Sequence, residues 1–265
     1  MTLVTSIYEI LDTSMIGRLT NATQAGYYNA GIKMNNIVLG LIAAITRVIL
    51  PRLSYYNNKG EEEKISNLKN KIIRIIVIFS VPMTLGLIAL SRPIILLFCG
   101  SLYEPSIPIM QIISPIIFII AISNLSGANF LPAMNKEKVS LASYIAGAVV
   151  NITANLLLIP RFEAIGAAMG TVLAETTVML VQVIYMRREF LTKQVIIDFL
   201  QAIFASAGMF LIIQLILRAV NSVVLQIFLG FAAGTTTYAL ILLLFRNSIL
   251  IEYIHLAVQK IKKRT

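Results

Sequence analysis

Residues 107–131, IPIMQIISPIIFIIAISNLSGANFL, run for 25 residues without an acidic or basic side chain. A helix needs about 20 predominantly apolar residues to cross a hydrocarbon core about 30 Å thick. Runs of this kind recur along the chain, each closed by a short polar break. They predict eight spans, at about 2–17, 30–50, 72–90, 107–131, 138–159, 164–186, 199–217 and 223–245. The predicted fold class is therefore all-α, a polytopic transmembrane helix bundle. Residues 1–190 are expected to form one bundle. Residues 191–247 add two further transmembrane helices, and residues 248–265 form a cytoplasmic amphipathic basic tail.

Composition supports this. Of 265 residues, 58% are hydrophobic and 13% charged, with a mean hydropathy of +0.85. Soluble domains carry about 25% charged residues. A formal charge of +10 would suggest nucleic acid in a soluble chain. Here the basic residues gather in the breaks, where they fix orientation, and no nucleic-acid partner is expected. Sixteen of the 22 Lys and Arg residues lie in the breaks after spans two, four and six and beyond span eight, against five in the other breaks and span mouths. That split puts both termini on the cytoplasmic side of a cytoplasmic membrane. One cysteine, Cys99, excludes an internal disulfide, and one histidine, His255, excludes a His/Cys zinc cluster. No phosphate-cradling glycine motif is present. No metal, no cofactor and no ATP hydrolysis by this chain are expected. Glu9 and Asp12 interrupt the first apolar run, so it does not read as a cleavable signal.

Two stretches have helical amphipathic spacing among charges: Ile65, Leu68, Ile72 and Ile75, and then Leu250, Ile251, Ile254, Val258 and Ile261. Both are expected to lie in the cytoplasmic interface, as anchors or as docking sites. The first span is short, roughly 24 Å as a helix. With two carboxylates it reads as an interior helix.

Ionisable groups inside spans are costly and point to function. The candidates are Glu9, Asp12, Lys33, Arg47 and Glu175. Glu9 and Asp12 share a helix face. Two carboxylates in low dielectric suit proton or cation coupling, with H⁺ or Na⁺ as the ion. The alternative is an ion pair with a cation on the next helix. Lys33 and Arg47 lie about 40° apart around one helix and about 21 Å apart along it. They could hand an anionic head group between them, or each could snorkel to its own interface. Glu175 calls for a cation, and Lys33 and Arg47 are the candidates. Asn151 and Asn155 share a face as interhelical glue or as substrate contacts. Gly166–Gly170 and Gly230–Gly234 are small-xxx-small patterns for close helix approach. Pro82 and Pro115 kink their spans or act as hinges.

Two stretches add a resemblance. DTSMIGRLTNATQAGYYNAGIKM (12–34) is similar to a segment of polysaccharide flippases in the multidrug/oligosaccharidyl-lipid/polysaccharide exporter superfamily. So is LPAMNKEKVSLASYIAGAVVNITANLLLIPRFEAIGAAMGTVLAE (131–175). The first carries an Asp-x-x-Met-Ile-Gly element that begins at Asp12. The second carries Asn-x-x-x-Asn-x-x-Leu-Ile-Pro followed by Gly-Ala-Ala-x-Gly-Thr. The resemblance implies a two-lobed transporter around an often cationic cavity, with this chain matching the second lobe. It implies alternating-access flipping of undecaprenyl-pyrophosphate-linked oligosaccharide, as in the Wzx-type step of O-antigen or capsule assembly in a bacterium or archaeon. The implied partners are the lipid-linked glycan and membrane lipids, with a functional link to glycosyltransferases and a polysaccharide polymerase. Alternatives are a drug/cation antiporter of the same superfamily, which Glu9 and Asp12 would suit, or a truncated fragment that does not transport. An integral membrane glycan polymerase or ligase would need a catalytic outer loop. The longest outer break, from Ser91 to Ser106, holds only Arg92 and Glu104 as charges, so no enzyme is expected.

Overall fold

The computed structural model of the chain describes residues 3–46, 55–56, 59, 61–253 and 259. Arg47 and the side chain of Glu9 lie outside the described set, as does most of the basic tail, including Ile254, Val258 and Ile261. Among the described residues the chain is helical and contains no strand. α1 (Leu3–Leu19) turns into α2 (Ala22–Thr46). The turn residue Asn21 starts α2 by accepting the Gln24 amide on its Oδ1 at 3.0 Å, as helix N-caps do. α3 (Glu62–Ala89) opens on Glu62 and Glu63, whose charge suits a helix N-terminus. A short α4 (Ser91–Phe98) follows. Then come α5 (Ser106–Ala133), α6 (Glu137–Tyr185), α7 (Lys193–Ala219) and α8 (Val223–Leu244).

Helices α3, α5, α6, α7 and α8 are long and apolar enough to cross a membrane. The 49-residue α6 is two arms, not one rod. Gln182 Nε2 donates to Ser143 Oγ at 2.8 Å, yet 39 residues of straight helix would hold them about 58 Å apart. The chain reverses at Glu163, whose φ of 51° and ψ of −130° leave the helical region. The arms before and after it, α6a and α6b, match the fifth and sixth predicted spans. Within the described residues, each of the eight predicted segments is thus helical. The 17-residue α1 and the polar α2 fall outside the membrane-length set.

The breaks gather at two ends of the bundle. At one end Gln24 Nε2 donates to Glu163 Oε2 at 2.5 Å, and Tyr27 meets Tyr103 edge-on at 5.9 Å. At the other, Lys69 lies 3.8 Å from Glu189, Lys71 pairs with Glu252, and Arg74 Nε donates to Asp198 Oδ2 at 2.5 Å.

α1 packs on α2 and α6, α2 on α5 and α6, and α3 on α5 and α7, while α8 pairs with α7. The main core includes Tyr28, Ile73, Ile95, Ile113, Ile117 and Phe130, all fully buried. The outer faces are apolar instead. Ile145, Val149, Ile152 and Leu156 form an exposed stripe on α6a, and Phe228 and Phe231 stand out from α8. An apolar stripe turned away from the core is a lipid-facing surface.

The prolines act differently. Pro115 divides α5 into Ser106–Ile113 and Ile116–Ser123, after which Asn124–Phe130 continues as a π-helix. α3 runs on through Pro82. A proline lacks the N–H that would bond the carbonyl four residues earlier. That carbonyl, Ile78 O, instead accepts the Tyr238 hydroxyl of α8 at 2.6 Å. Pro82 therefore opens the docking point for the α7–α8 pair.

One expectation is corrected. Ile65, Leu68, Ile72 and Ile75 are not a separate interfacial helix, since α3 is continuous from Glu62. Its Lys69, Lys71 and Arg74 have acidic partners within the protein, and Ile72 and Ile73 are buried. Asp198, read as lying outside the seventh span, sits inside α7 and is nearly inaccessible. Beside it, Asn247 Nδ2 donates to Asp198 Oδ1 at 2.8 Å, and Arg74 Nη2 donates to Ser248 Oγ at 2.5 Å. Removing one member of a buried ion pair costs about 3–5 kcal/mol. Asp198→Ala should fall near the low end, because Arg74 keeps Ser248 and part of its exposure. The expected result is faster tryptic cleavage at Arg187 and Arg188 as α7 loosens from α3. Cleavage rates equal to wild type would count against this anchoring.

Candidate functional site

Four helical passes bring polar side chains to one buried point. Asp12 of α1 is fully inaccessible. Its Oδ2 accepts the Tyr28 hydroxyl of α2 at 2.6 Å and lies 2.6 Å from Thr171 Oγ1 of α6b. Its Oδ1 accepts Asn155 Nδ2 of α6a at 2.6 Å. Asn155 Nδ2 also reaches Asn151 Oδ1 at 3.4 Å. Thr171 has a second acceptor, Ala167 O, at 3.0 Å, so its single hydrogen serves one acceptor at a time. Asn155 Oδ1 and Asn151 Nδ2 are buried without a hydrogen-bond partner. Amide orientation is interchangeable at this level, so the pair can present oxygens as well as N–H groups.

The local sequence explains the convergence. A Cβ on Gly166 would run into the backbone of Leu158 and Ile159, and one on Gly170 would collide with Asn155 Oδ1. The two glycines thus let α6b approach α6a closely enough to set Thr171 beside Asn155. Gly31 plays a similar part for α2, where a Cβ would sit 3.0 Å from Ile109 Cγ2 and 3.2 Å from Met110 N of α5.

Glu175 lies one turn beyond Thr171 on the same inner face of α6b and is 6% exposed. Among the described residues, no hydrogen bond or ion pair reaches its carboxylate. Lys33 does not supply one: it is exposed, and it lies five residues, about 140° around the helix, from Tyr28. Lys33 belongs instead to an exposed face of α2 with Asn29, Ile37 and Gly40, and α1 exposes Ile10, Ser14, Gly17 and Arg18. The ion-pair alternative for Asp12 is also corrected, since its partners are neutral donors.

Beyond Glu175 a second polar group surrounds Gln182. Its Oε1 accepts from Ser126 Oγ at 2.5 Å, and its Nε2 donates to Ser143 Oγ at 2.8 Å. Ser140 Oγ donates to Gly127 O at 2.9 Å, inside the π-helical segment. Reading charges alone overlooked Tyr28, Thr171 and Gln182, which are neutral. Their signal is a hydrogen-bonding side chain inside an apolar run.

The fold and this site are those of a multi-pass α-helical membrane protein with a carboxyl group buried between its helices. Residues 1–108 match the family model described as Polysaccharide biosynthesis protein. A probable low-salt glycan biosynthesis flippase of Haloferax volcanii is 22% identical over 63% of this chain and 35% of its own length. A putative O-antigen transporter of Escherichia coli is 26% identical over 69% of this chain and 44% of its own. The chain thus spans less than half the length of these relatives. Among solved structures, lipid II flippase MurJ in an inward closed conformation superposes with a TM-score of 0.80 at 19% identity, covering 93% of this chain and 52% of that one. An outward-facing multidrug resistance transporter of the MATE family gives 0.59 at 17% identity, over 97% and 65%. The chain is similar to polysaccharide flippases of the multidrug/oligosaccharidyl-lipid/polysaccharide exporter superfamily, and its fold is that of a MurJ-type flippase bundle.

Proposed function

We propose that this chain forms the second lobe of a flippase that moves undecaprenyl-pyrophosphate-linked oligosaccharide across the cytoplasmic membrane by alternating access. The observation that carries this reading is the likeness to the glycan flippase and the O-antigen transporter along about two thirds of the chain. Residues 1–190 would be the lobe itself. The α7–α8 pair would be an addition held at Pro82 and Arg74, and the tail a cytoplasmic anchor. The basic end of the bundle would face the cytoplasm. The outer face of α1 and α2, with Arg18 and Lys33, would line the cavity. Arg47, which follows α2 directly in sequence, would supply a further cation. Pyrophosphate must shed water to cross, and cationic side chains can replace that water. The supply and use of such a glycan would fall to glycosyltransferases and a polymerase.

The Asp12 cluster supports ion coupling in this reading. The oxygens of Asp12, Asn151, Asn155 and Thr171 form the carboxylate, amide and hydroxyl set that suits a small hard cation. The carboxylate by itself would also serve a proton. Glu9 would lie one turn away, toward the cytoplasmic end of the same helix face.

In the complete transporter, Lys33→Ala with Arg47→Ala should lower surface polysaccharide at least several-fold and build up lipid-linked repeat units on the cytoplasmic leaflet. Lys at position 47 should restore only part, since it lacks the guanidinium fork. Normal glycan display in the double variant, at normal protein level, would refute the head-group role. Loss of resistance to cationic drugs with glycan display intact would favour the antiporter reading.

A further inference from the structure

The inner faces of the α6 hairpin carry a run of polar side chains. On α6a the buried positions between Ser140 and Asn155 are Ser140, Ser143, Gly147, Asn151 and Asn155, and the next one, toward the reversal at Glu163, is Ile159. On α6b the buried positions from Thr171 to Gln182 are Thr171, Ala174, Glu175, Val178 and Gln182. The outward face of the same arm, Ile145, Val149, Ile152 and Leu156, is apolar and exposed. A hairpin held only by packing would bury its apolar residues and small residues between the arms. This one buries small residues and, beside them, amides, hydroxyls and a carboxylate, at several points without partners. Asn151 Nδ2 and Asn155 Oδ1 have none, and no hydrogen bond among the described residues reaches Glu175.

The seam has a direction. It starts at Asp12, passes Glu175 one turn on, and reaches the Gln182, Ser143 and Ser126 group. It ends beside the π-helical segment and the Lys136 and Arg187 breaks, at the basic end of the bundle. π-helical turns are common where a helix serves a site. Among the described residues, the ionisable groups beside Glu175 are Asp12 and Tyr144, and neither is a cation. Ala174 and Val178 are the hydrocarbon steps on α6b between Thr171 and Gln182, and both are fully buried. The seam is therefore closed to solvent at Val178 in this structure.

We propose that this seam is the route by which the cation held at Asp12 exchanges with the cytoplasm, with Glu175 as the carboxylate that selects for positive charge along it. The inference rests on the coupling role given to Asp12 above. It adds a path and a selecting residue that lie outside the cluster itself.

Charge-selective cysteine labelling tests it. The variant is Val178→Cys in the full chain with Cys99→Ser, in inside-out membrane vesicles. The probes are two thiosulfonates of similar size, one a quaternary ammonium and one a sulfonate. A carboxylate in a narrow cleft raises the local concentration of cations about tenfold or more. The cationic reagent should react about that much faster than the anionic one, and Glu175→Gln should bring the ratio close to one. Leu156→Cys, on the lipid face, should react with neither. Ser143→Cys, nearly isosteric, gives the same reading should Val178→Cys fail to accumulate. Two inert cysteines, or a ratio unchanged by Glu175→Gln, would overturn the proposal. Thermal unfolding of wild type and Asp12→Asn in Na⁺ or choline at two pH values reports the coupling reading separately. A cation or pH response that depends on Asp12 alongside inert cysteines would sink the route alone. Selective labelling with no such response would sink the coupling role.

Discussion

Asp12→Ala should destabilise the purified protein by about 2–4 kcal/mol, whereas Asp12→Asn should stay within about 1 kcal/mol of wild type. Alanine removes the acceptor for three buried donors, the Tyr28 hydroxyl, the Thr171 hydroxyl and Asn155 Nδ2. Each keeps a weaker or second contact, such as Ala167 O for Thr171 and Asn151 Oδ1 for Asn155. The loss is therefore less than three full desolvation costs. Asparagine restores the pattern without the charge. Its oxygen accepts from Asn155, and its amide donates to the hydroxyls of Tyr28 and Thr171, which rotate and accept. The fold should then survive while any dependence on Na⁺ or proton disappears. Thermal unfolding in detergent measures the first effect, and transport with and without an ion gradient the second. Equal stability of the two variants would show that the hydrogen bonds at Asp12 hold nothing together. An ion-responsive Asp12→Asn protein would remove the carboxylate from coupling.

Gly166→Ala should be still more damaging, upward of about 3 kcal/mol. The added Cβ meets Leu158 O and Ile159 N, both backbone atoms of the opposite arm. No rotamer change relieves that contact, so the arms must part. Parting them separates Thr171 from Asn155 and with it the acceptor and donor set around Asp12. Gly170→Ala meets only a side-chain oxygen, Asn155 Oδ1. That amide can swing away, and it gives up its bond to Asp12 when it does. The expected contrast is little or no monodisperse protein for Gly166→Ala, against a folded but ion-insensitive protein for Gly170→Ala. Size-exclusion profiles and melting temperatures check it. A Gly166→Ala protein that elutes and melts like wild type would mean the hairpin closes less tightly than the glycines allow.

The helical bundle was legible in the sequence because the cost of taking a charge or a bare backbone group into lipid is a sum over a segment. Such a sum survives without knowledge of neighbours. It located eight segments and assigned their breaks to alternating ends. It also marked Asp12, Asn151, Asn155 and Glu175 as polar groups in costly places. Boundaries were less secure where a helix runs out of the apolar zone. α3 begins at Glu62, ten residues before the predicted span, and α7 begins at Lys193, which hid Asp198 from the list of buried charges. Lys69, Lys71, Arg74 and Asp198 are tolerated because each has a partner elsewhere in the bundle, and pairing is invisible to a hydropathy sum.

Which polar groups meet was decided by the tertiary structure. Sequence spacing fixes two residues relative to each other on one helix, so Glu9 with Asp12, and Lys33 with Arg47, were natural pairs to draw. It says nothing about how one helix is rotated toward the next. That rotation is set by the close approach of α6a and α6b at Gly166 and Gly170, and of α2 and α5 at Gly31. It turns Tyr28 toward Asp12 and Lys33 away, and it brings Thr171, 159 residues distant, within hydrogen-bond reach of the same carboxylate. The sequence alone determined that a carboxylate would be buried among helices. Only packing between backbones determined that neutral donors, and not a cation, would meet it there.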